Sequence, residues 1–211
     1  DPFVYAAFLA ASTRTIKLGT TGIVLPLREP ITVAKQAASL DQLSKGRFIL
    51  GLSTGDRPVE YPAFGMDFDN RGERYREAFK LIRTLHTKGF PKLQTKHYGT
   101  LRGDLDLMPK PFTDQLPMIA VGRSRQPIDW LAKNADAWIW SVDEPKSIAK
   151  IVADLRAASG KRTPPPYGYS TFFDLDRNPD APAQRLHNVV RIGRKALIER
   201  LQQHREIGVT H

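Results

Sequence analysis

The chain has 211 residues, 41% of them hydrophobic, and no low-complexity tract, which fits one globular domain. Its 32 basic and 22 acidic residues leave a net charge of +10, but acids are interleaved with the bases and no aromatic-basic stripe forms. A solvated surface with one or two local anion sites is therefore expected, rather than a nucleic-acid partner. The absence of cysteine excludes disulfides and thiolate metal sites. No apolar run approaches the ~20 residues of a membrane span, so no membrane partner is expected and the expected location is cytoplasmic.

In chain order, Asp1 and Pro2 suit an N-cap and a first helical position, and an apolar helix is expected to run to about Ser12. Residues 16–25 are rich in β-branched side chains and predict a strand ended by Pro26. A helix follows over residues 30–44, with Val33, Ala34, Ala37 and Leu40 on one stripe and Gly46 as its terminator. Asp41 continues that apolar stripe, and a buried ion pair with Arg47 is expected of it. Residues 47–52 predict a second strand, which opens into a Gly- and Pro-bearing loop over residues 53–65.

Residues 71–87 predict an amphipathic helix with Tyr75, Ala78, Phe79, Ile82 and Leu85 on its inner face. Residues 89–116 predict irregular chain with a small hairpin around His97-Tyr98-Gly99. A strand (117–121), a helix (127–135), a strand (137–142), a helix (145–159) and a strand around residues 167–175 follow. A Pro-rich loop, a helix over residues 193–204 and the start of one more strand at Val209 complete the chain. Pro2, Pro30, Pro127 and Pro145 are each expected at a first helical position.

Strand-helix alternation with short connections implies parallel strands with right-handed crossovers. A TIM-type (β/α)8 barrel and a doubly wound open sheet both satisfy that pattern, and a complete barrel usually takes ~250 residues. The chain opens without methionine and stops at Gly208-Val209-Thr210-His211, so residues are expected to be missing at both ends.

Several residues could carry chemistry. Gly51-Leu52-Ser53-Thr54-Gly55 matches the G-x-S-x-G pattern of a hydrolase nucleophile elbow, but Asp56-Arg57-Pro58 and Pro62 break the helix that must follow it. A close-packed turn, where glycine lets something approach the backbone, is the competing reading. Gly19-Thr20-Thr21-Gly22 places two glycines in a strand, which marks a bulge, a bend or a flat ligand against the backbone. Gly122-Arg123-Ser124, between a strand and a helix, offers free N–H groups, a guanidinium and a hydroxyl to an anion, or is ordinary loop chemistry. Arg71 and Arg74 oppose the macrodipole in the first turn of their helix, a cost that a bound anion or nearby Asp67, Asp69 and Glu73 would offset.

The five histidines show no metal-ligand spacing, so no metal site is expected. Trp138 and Trp140 flank Ile139 in a strand and are expected to face opposite sides, Trp140 bordering a ligand. No G-x-G-x-x-G follows a strand, so no Rossmann-type nicotinamide site is expected.

Taken together, these segments resemble the luciferase-like flavin monooxygenase family. The run from Asp1-Pro2-Phe3-Val4-Tyr5 through Gly19-Thr20-Thr21-Gly22-Ile23-Val24-Leu25-Pro26 is similar to the bacterial luciferase α subunit. So are Leu40-Asp41-Gln42-Leu43-Ser44-Lys45-Gly46-Arg47-Phe48, Phe64-Gly65-Met66-Asp67 and Pro117-Met118-Ile119-Ala120-Val121 with Asp129-Trp130. The likeness covers most of residues 1–142, and Gly193-Arg194-Lys195-Ala196-Leu197-Ile198 fits a subgroup of luciferase-type oxidoreductases.

The resemblance implies a single α/β domain over residues 1–211, a TIM-type barrel incomplete at both ends, with FMN at the C-terminal ends of its strands. It implies a non-prolyl cis peptide between Thr21 and Gly22 under the flavin ring, and a phosphate grip by Gly122, Arg123 and Ser124 with Arg71 or Arg74. Where the family has a phosphate-binding arginine this chain has Thr54, beside Gly55, and where luciferase has a reactive cysteine it has Ser53. The family's catalytic histidines lie in the N-terminal part that the chain is expected to lack, which leaves Glu60 as an acid/base candidate. The implied activity is oxygenation of a small organic molecule by reduced FMN and O2, with a separate flavin reductase and a homodimeric assembly. Alternatives are hydride transfer with the deazaflavin coenzyme F420, a non-catalytic flavin-binding protein, and the hydrolase.

Overall fold

In the computed structural model, which describes residues 1–142, 144–187 and 189–210, the chain divides into two units, Asp1–Gln126 and Pro127–His211. The first opens with α1 (Pro2–Ser12), whose start is capped by the Asp1 carboxylate accepting from the Phe3 N–H at 2.9 Å. The expected strand over residues 16–25 is split into β1 (Leu18–Gly19) and β2 (Ile23–Val24), followed by a 3-10 turn (Leu25–Leu27). Next come α2 (Pro30–Ser44), β3 (Phe48–Ser53), the short α3 (Glu60–Ala63) and α4 (Arg71–Thr87). A hairpin of β4 (Lys92–Gln94) and β5 (Thr100–Arg102) and the strand β6 (Met118–Val121) complete the unit.

Both β1 and β2 pair in parallel with β3, and β6 pairs in parallel with its other edge. Register explains the split. Gly19 lies opposite Ile49 and Ile23 opposite Leu52, so Thr20, Thr21 and Gly22 span the stretch covered on β3 by Leu50 and Gly51 alone. The extra residue bulges, as the paired glycines suggested. Behind the sheet, the stripe of Val33, Ala34, Ala37 and Leu40 on α2 packs against α4, whose Tyr75, Ala78, Phe79, Ile82 and Leu85 are all buried.

The second unit holds α5 (Ile128–Asn134), β7 (Ala137–Trp140), α6 (Pro145–Ser159) and β8 (Tyr167–Tyr169), with β7 and β8 parallel. Pro127 is the N-cap of α5 rather than its first residue, whereas Pro2, Pro30 and Pro145 open their helices as expected. The expected strand over residues 167–175 breaks after β8, and β9 (Phe172–Leu175) joins a separate sheet with β10 (Gln184–Leu186) and β11 (Val189–Ile192). The stretch expected as a Pro-rich loop thus supplies two strands; its Asn188 lies outside the described residues. After α7 (Arg194–Ile207) the Thr210 N–H donates to the Tyr167 carbonyl of β8 at 2.9 Å, and His211, in the expected last strand, lies outside the described residues.

Two expectations need correction here. Asp41 is fully buried, but its partner is Thr113, whose N–H and hydroxyl donate to Oδ2 at 3.1 and 3.0 Å. Arg47 instead caps the end of α1, donating to the carbonyls of Ala10, Thr13 and Ile16 at 2.8–3.1 Å. The carbonyls left over at the end of α1 lie within reach of the guanidinium, while the Asp41 carboxylate is engaged by Thr113. That turn is made by Lys45 in the left-handed region, with Gly46 following it. Trp138 and Trp140 stack with ring centroids 5.7 Å apart, so they share a face, as residues two apart in a strand must.

His86 closes the α2–α4 contact. It is buried, and Nε2 donates to the Ala34 carbonyl at 2.9 Å. Burial pushes its pKa down to about 4 against the hydrogen bond to Ala34, with Arg83 and Lys110 lowering it further and Asp41 opposing them. The unfolded chain takes up this proton near pH ~6.5 and the folded chain only near 4, so stability is lost as pH falls through that window. His86→Gln, which keeps a donor without the titration, is expected to remove about 3 kcal/mol of pH dependence between pH ~7 and ~4 in urea unfolding. A wild-type-minus-variant difference that stays constant with pH would show that His86 is not held neutral.

Candidate functional site

The C-terminal ends of β1, β2, β3 and β6 lie on one side of the first unit because the strands are parallel. There the bulge is locked by a side chain. Thr20 Oγ1 donates to the Gly51 carbonyl and accepts from the Gly51 N–H, both at 2.9 Å, standing in for the ladder bonds that the bulge removes. The contact is so close that a Cβ on Gly51 would lie 1.8 Å from the Thr20 carbonyl oxygen. Gly22 and Gly55 repeat the pattern, since a Cβ on Gly22 would meet Ser53 at 2.9 Å and one on Gly55 would meet Val24 at 2.8 Å. Thr21, Gly22, Ser53, Thr54 and Gly55 are thereby brought together. Thr21 and Gly22 also border an open hollow of about 460 Å³ lined in part by Tyr5, Leu9 and Leu18.

The peptide bond between Thr21 and Gly22 is trans; the cis bond among the described residues is Met108 to Pro109. A non-prolyl cis bond costs ~3–4 kcal/mol, and the bulge with its Thr20 side-chain bonds relieves the register without it. The nucleophile-elbow reading fails as well. The Ser53 hydroxyl donates to the Ile23 carbonyl at 3.4 Å, and no helix begins until Glu60. Glu60 itself pairs with Arg57 at 3.4 Å on the surface.

A second cluster forms where the loop after β6 meets the start of α4. Gly122, Ser124 and Arg125 all have positive φ, which folds residues 122–126 back on themselves. Gln126, buried at the end of this loop, donates from Nε2 to the Gly72 carbonyl at 2.8 Å and to the Ser124 carbonyl at 2.9 Å. Its Oε1 accepts from Arg76 Nε at 3.0 Å. Gly72 has no room for a side chain, because a Cβ there would stand 2.8 Å from Cβ of Arg125. The loop is therefore pressed onto the first turn of α4, which sets the Arg125 guanidinium beside Arg71.

The arginines are partly buried and carry a like-charge cost. Burial lowers the pKa of Arg71 and the Arg125 guanidinium lowers it further, with Tyr61 and Asp69 opposing. Arg71 sits 3.4 Å over the Phe68 ring and donates to the Phe68 carbonyl at 2.7 Å, while Arg74 lies 4.8 Å over the Tyr98 ring. Among the described residues no acceptor takes up Nε of either arginine or the proton of the Tyr98 hydroxyl, whose oxygen is acted on by the Arg74 guanidinium. Tyr61 is buried beside them, donating to the Thr54 carbonyl; burial raises its pKa and both arginines act against that.

The sequence reading missed Tyr61, Tyr98, Arg125 and Gln126. Gly72 was the available signal, since glycine in a helical first turn marks a close approach. Arg123 is exposed, and Arg125 holds the place against α4 expected of it. Trp140 belongs to the second unit. Among the described residues no His, Cys, Asp and Glu cluster could hold a metal ion, and no helix is long and apolar enough to cross a membrane.

Comparison with known proteins gives a consistent picture. The model of the luciferase-like monooxygenase family matches residues 1–210. An uncharacterised protein of Mycobacterium tuberculosis is 30% identical over 167 residues, which cover 78% of this chain and 57% of that one. The alkanal monooxygenase alpha chain of Photorhabdus luminescens is 28% identical over 165 residues, covering 76% of this chain and 45% of its own. The chain thus spans about half the length of these relatives.

Among solved structures, a monooxygenase from Streptomyces bottropensis superposes with a TM-score of 0.73 at 18% identity, over 98% of this chain and 61% of that one. The coenzyme F420-dependent tetrahydromethanopterin reductase of Methanopyrus kandleri gives 0.72 at 20% identity, over 85% and 56%. The oxygenating constituent of 3,6-diketocamphane monooxygenase from Pseudomonas putida, in complex with FMN, gives 0.69 at 16%, over 85% and 54%. The fold class is accordingly α/β of the TIM-barrel type, here an incomplete barrel.

The locked bulge predicts a sharp asymmetry between neighbouring glycines. Gly51→Ala drives a Cβ into a backbone carbonyl and is expected to cost about 3 kcal/mol or more. Gly19→Ala, whose Cβ would make only ordinary contacts at 3.6 Å, is expected to cost under about 1 kcal/mol. Equal losses in thermal or urea unfolding would show that the Thr20 contact does not set the strand ends.

Proposed function

The chain belongs to the luciferase-like monooxygenase family, and from that membership we propose that it is part of an FMN-dependent oxidoreductase that oxygenates a small organic substrate with O2. The observation that carries the cofactor reading is the cluster of Arg71, Arg74 and Arg125 at a helix N-terminus, beside a loop whose glycine faces open space. Arg71 and Arg74 each keep a buried Nε without a partner, and nothing lies within 4 Å of where a Gly122 Cβ would stand. A phosphate dianion fits this set, because it offsets the like-charge cost and takes backbone and guanidinium donors together.

On this reading Arg71, Arg74 and the backbone of Gly122 and Ser124 hold the FMN phosphate. Thr21 and Gly22, with Ser53, Thr54 and Gly55 behind them, offer a flat wall without side-chain bulk to the ring. Buried Leu52, Ile23 and Tyr61 keep that wall's backing dry. Reduced FMN, when bound, supplies the reaction with O2. A separate flavin reductase, a homodimeric assembly and a cytoplasmic location are parts of the same proposal. Arg123 is assigned to the cofactor by resemblance, and Glu60, paired with Arg57, is given no proton-transfer role. Likeness in fold to an F420-dependent reductase keeps F420 as the second cofactor reading.

Equilibrium titrations separate these readings. Arg71→Glu with Arg74→Glu is expected to weaken FMN by about a hundredfold or more while changing riboflavin, which lacks the phosphate, by less than about threefold. Equal loss for both flavins would mean that the arginines only support the fold. Binding of F420 in preference to FMN would transfer the site to the deazaflavin.

A further inference from the structure

The hairpin of β4 and β5 is held against α4 by two acidic residues on successive turns. Both Glu77 oxygens accept from the tip, from the Lys96 N–H at 2.9 Å and the His97 N–H at 3.0 Å. Glu73 holds Lys96 Nζ at 3.1 Å and His97 Nε2 at 3.2 Å. Within the tip, Thr95 Oγ1 accepts from the Tyr98 N–H at 3.0 Å and donates to the Gly99 carbonyl at 2.8 Å, and Gly99 takes positive φ to close the turn. Backbone bonds from both sides thus fix Tyr98, the residue that follows the clamp.

What the clamp delivers is a phenol beside Arg74. The guanidinium lies 4.8 Å over the Tyr98 ring and acts on the phenol oxygen through a hydrogen bond, while the hydroxyl, shut off from solvent, has no acceptor for its own proton among the described residues. A buried donor without an acceptor costs on the order of a lost hydrogen bond, and two such donors side by side, the Tyr98 O–H and the Arg74 Nε–H, are explained together by one missing acceptor. Burial raises the phenol pKa to about 12, with the charge and hydrogen bond of Arg74 acting against it, so the oxygen keeps its proton at neutral pH and can donate it. Glu73 is engaged by Lys96 and His97, and Glu77 by the tip backbone, so neither supplies that acceptor.

We infer that Tyr98 is a ligand of the anion bound at the start of α4: its hydroxyl donates to a phosphate oxygen beside Arg74, and Glu73 and Glu77 position it by clamping the hairpin. The inference rests on the anion reading above but not on the anion's being part of a flavin.

The test uses the full chain with inorganic phosphate and, separately, FMN and riboflavin. Affinities are read by calorimetry for phosphate and by fluorescence for the flavins, with a thermal melt of each ligand-free variant. Tyr98→Phe keeps the ring over Arg74 and is expected to weaken phosphate and FMN about tenfold, leave riboflavin within about twofold, and leave the ligand-free melt unchanged or slightly higher. Glu77→Gln, which loosens the clamp without touching the phenol, is expected to shift phosphate and FMN affinity the same way by a smaller factor. If the wild type binds phosphate but not FMN, and Tyr98→Phe still weakens phosphate, the inference stands and the flavin assignment falls. Phosphate affinity unchanged by Tyr98→Phe overturns the inference, as does a wild type that binds no phosphate. An equal loss for riboflavin overturns it too.

Discussion

The first unit depends on one buried amide. Gln126 ties the loop after β6 to the first turn of α4 through both ends of its side chain, donating to Gly72 and Ser124 and accepting from Arg76. With no acceptor or donor of Gln126 left to water, the loop can sit in essentially one way, and the left-handed residues Ser124 and Arg125 are held despite their conformational cost. Loop and helix start then share one space. Gly72 is glycine because Arg125 lies where its side chain would be, and the Arg125 guanidinium thereby comes beside Arg71.

That packing concentrates positive charge where the helix dipole is already unfavourable to it. Aromatic faces offset part of the cost, Phe68 under Arg71 and Tyr98 under Arg74. They are neutral and leave the field in place. An anion of matching geometry removes both the repulsion and the unpaired donors at once, which is why a dianion rather than a neutral ligand suits the place. The neighbouring strand ends serve a different need. There the absence of a Cβ lets Gly51 lie against the Thr20 backbone and makes room for the Ser53 side chain at Gly22 and the Val24 side chain at Gly55.

Much of this was legible in the sequence because it lies in local patterns. The starts of α1, α2 and α6 are announced by Asp1-Pro2, Pro30 and Pro145, and the apolar stripes of α2 and α4 appear as written. The glycines of Gly19-Thr20-Thr21-Gly22 marked the bulge. What escaped depends on contacts between residues distant in the chain. Arg47 chose helix-end carbonyls over Asp41, and Asp41 chose Thr113, 72 positions away. Tyr98 reaches α4 only because Glu73 and Glu77, about 20 positions earlier, receive the hairpin tip. No periodicity encodes such pairings. The strands β10 and β11 were missed for a related reason, since β10 is exposed throughout and lacks the alternation of a half-buried strand.

Crystals of the chain soaked with FMN test the anion site most directly, because phosphorus can be located without reference to activity. The phosphate is expected between the first turn of α4 and the 122–126 loop, with oxygens ~2.7–2.9 Å from donors of Arg71 or Arg74 and from the backbone at Gly122 or Ser124. Flavin bound with its phosphate in solvent, or gripped by residues outside that loop and helix, would contradict it.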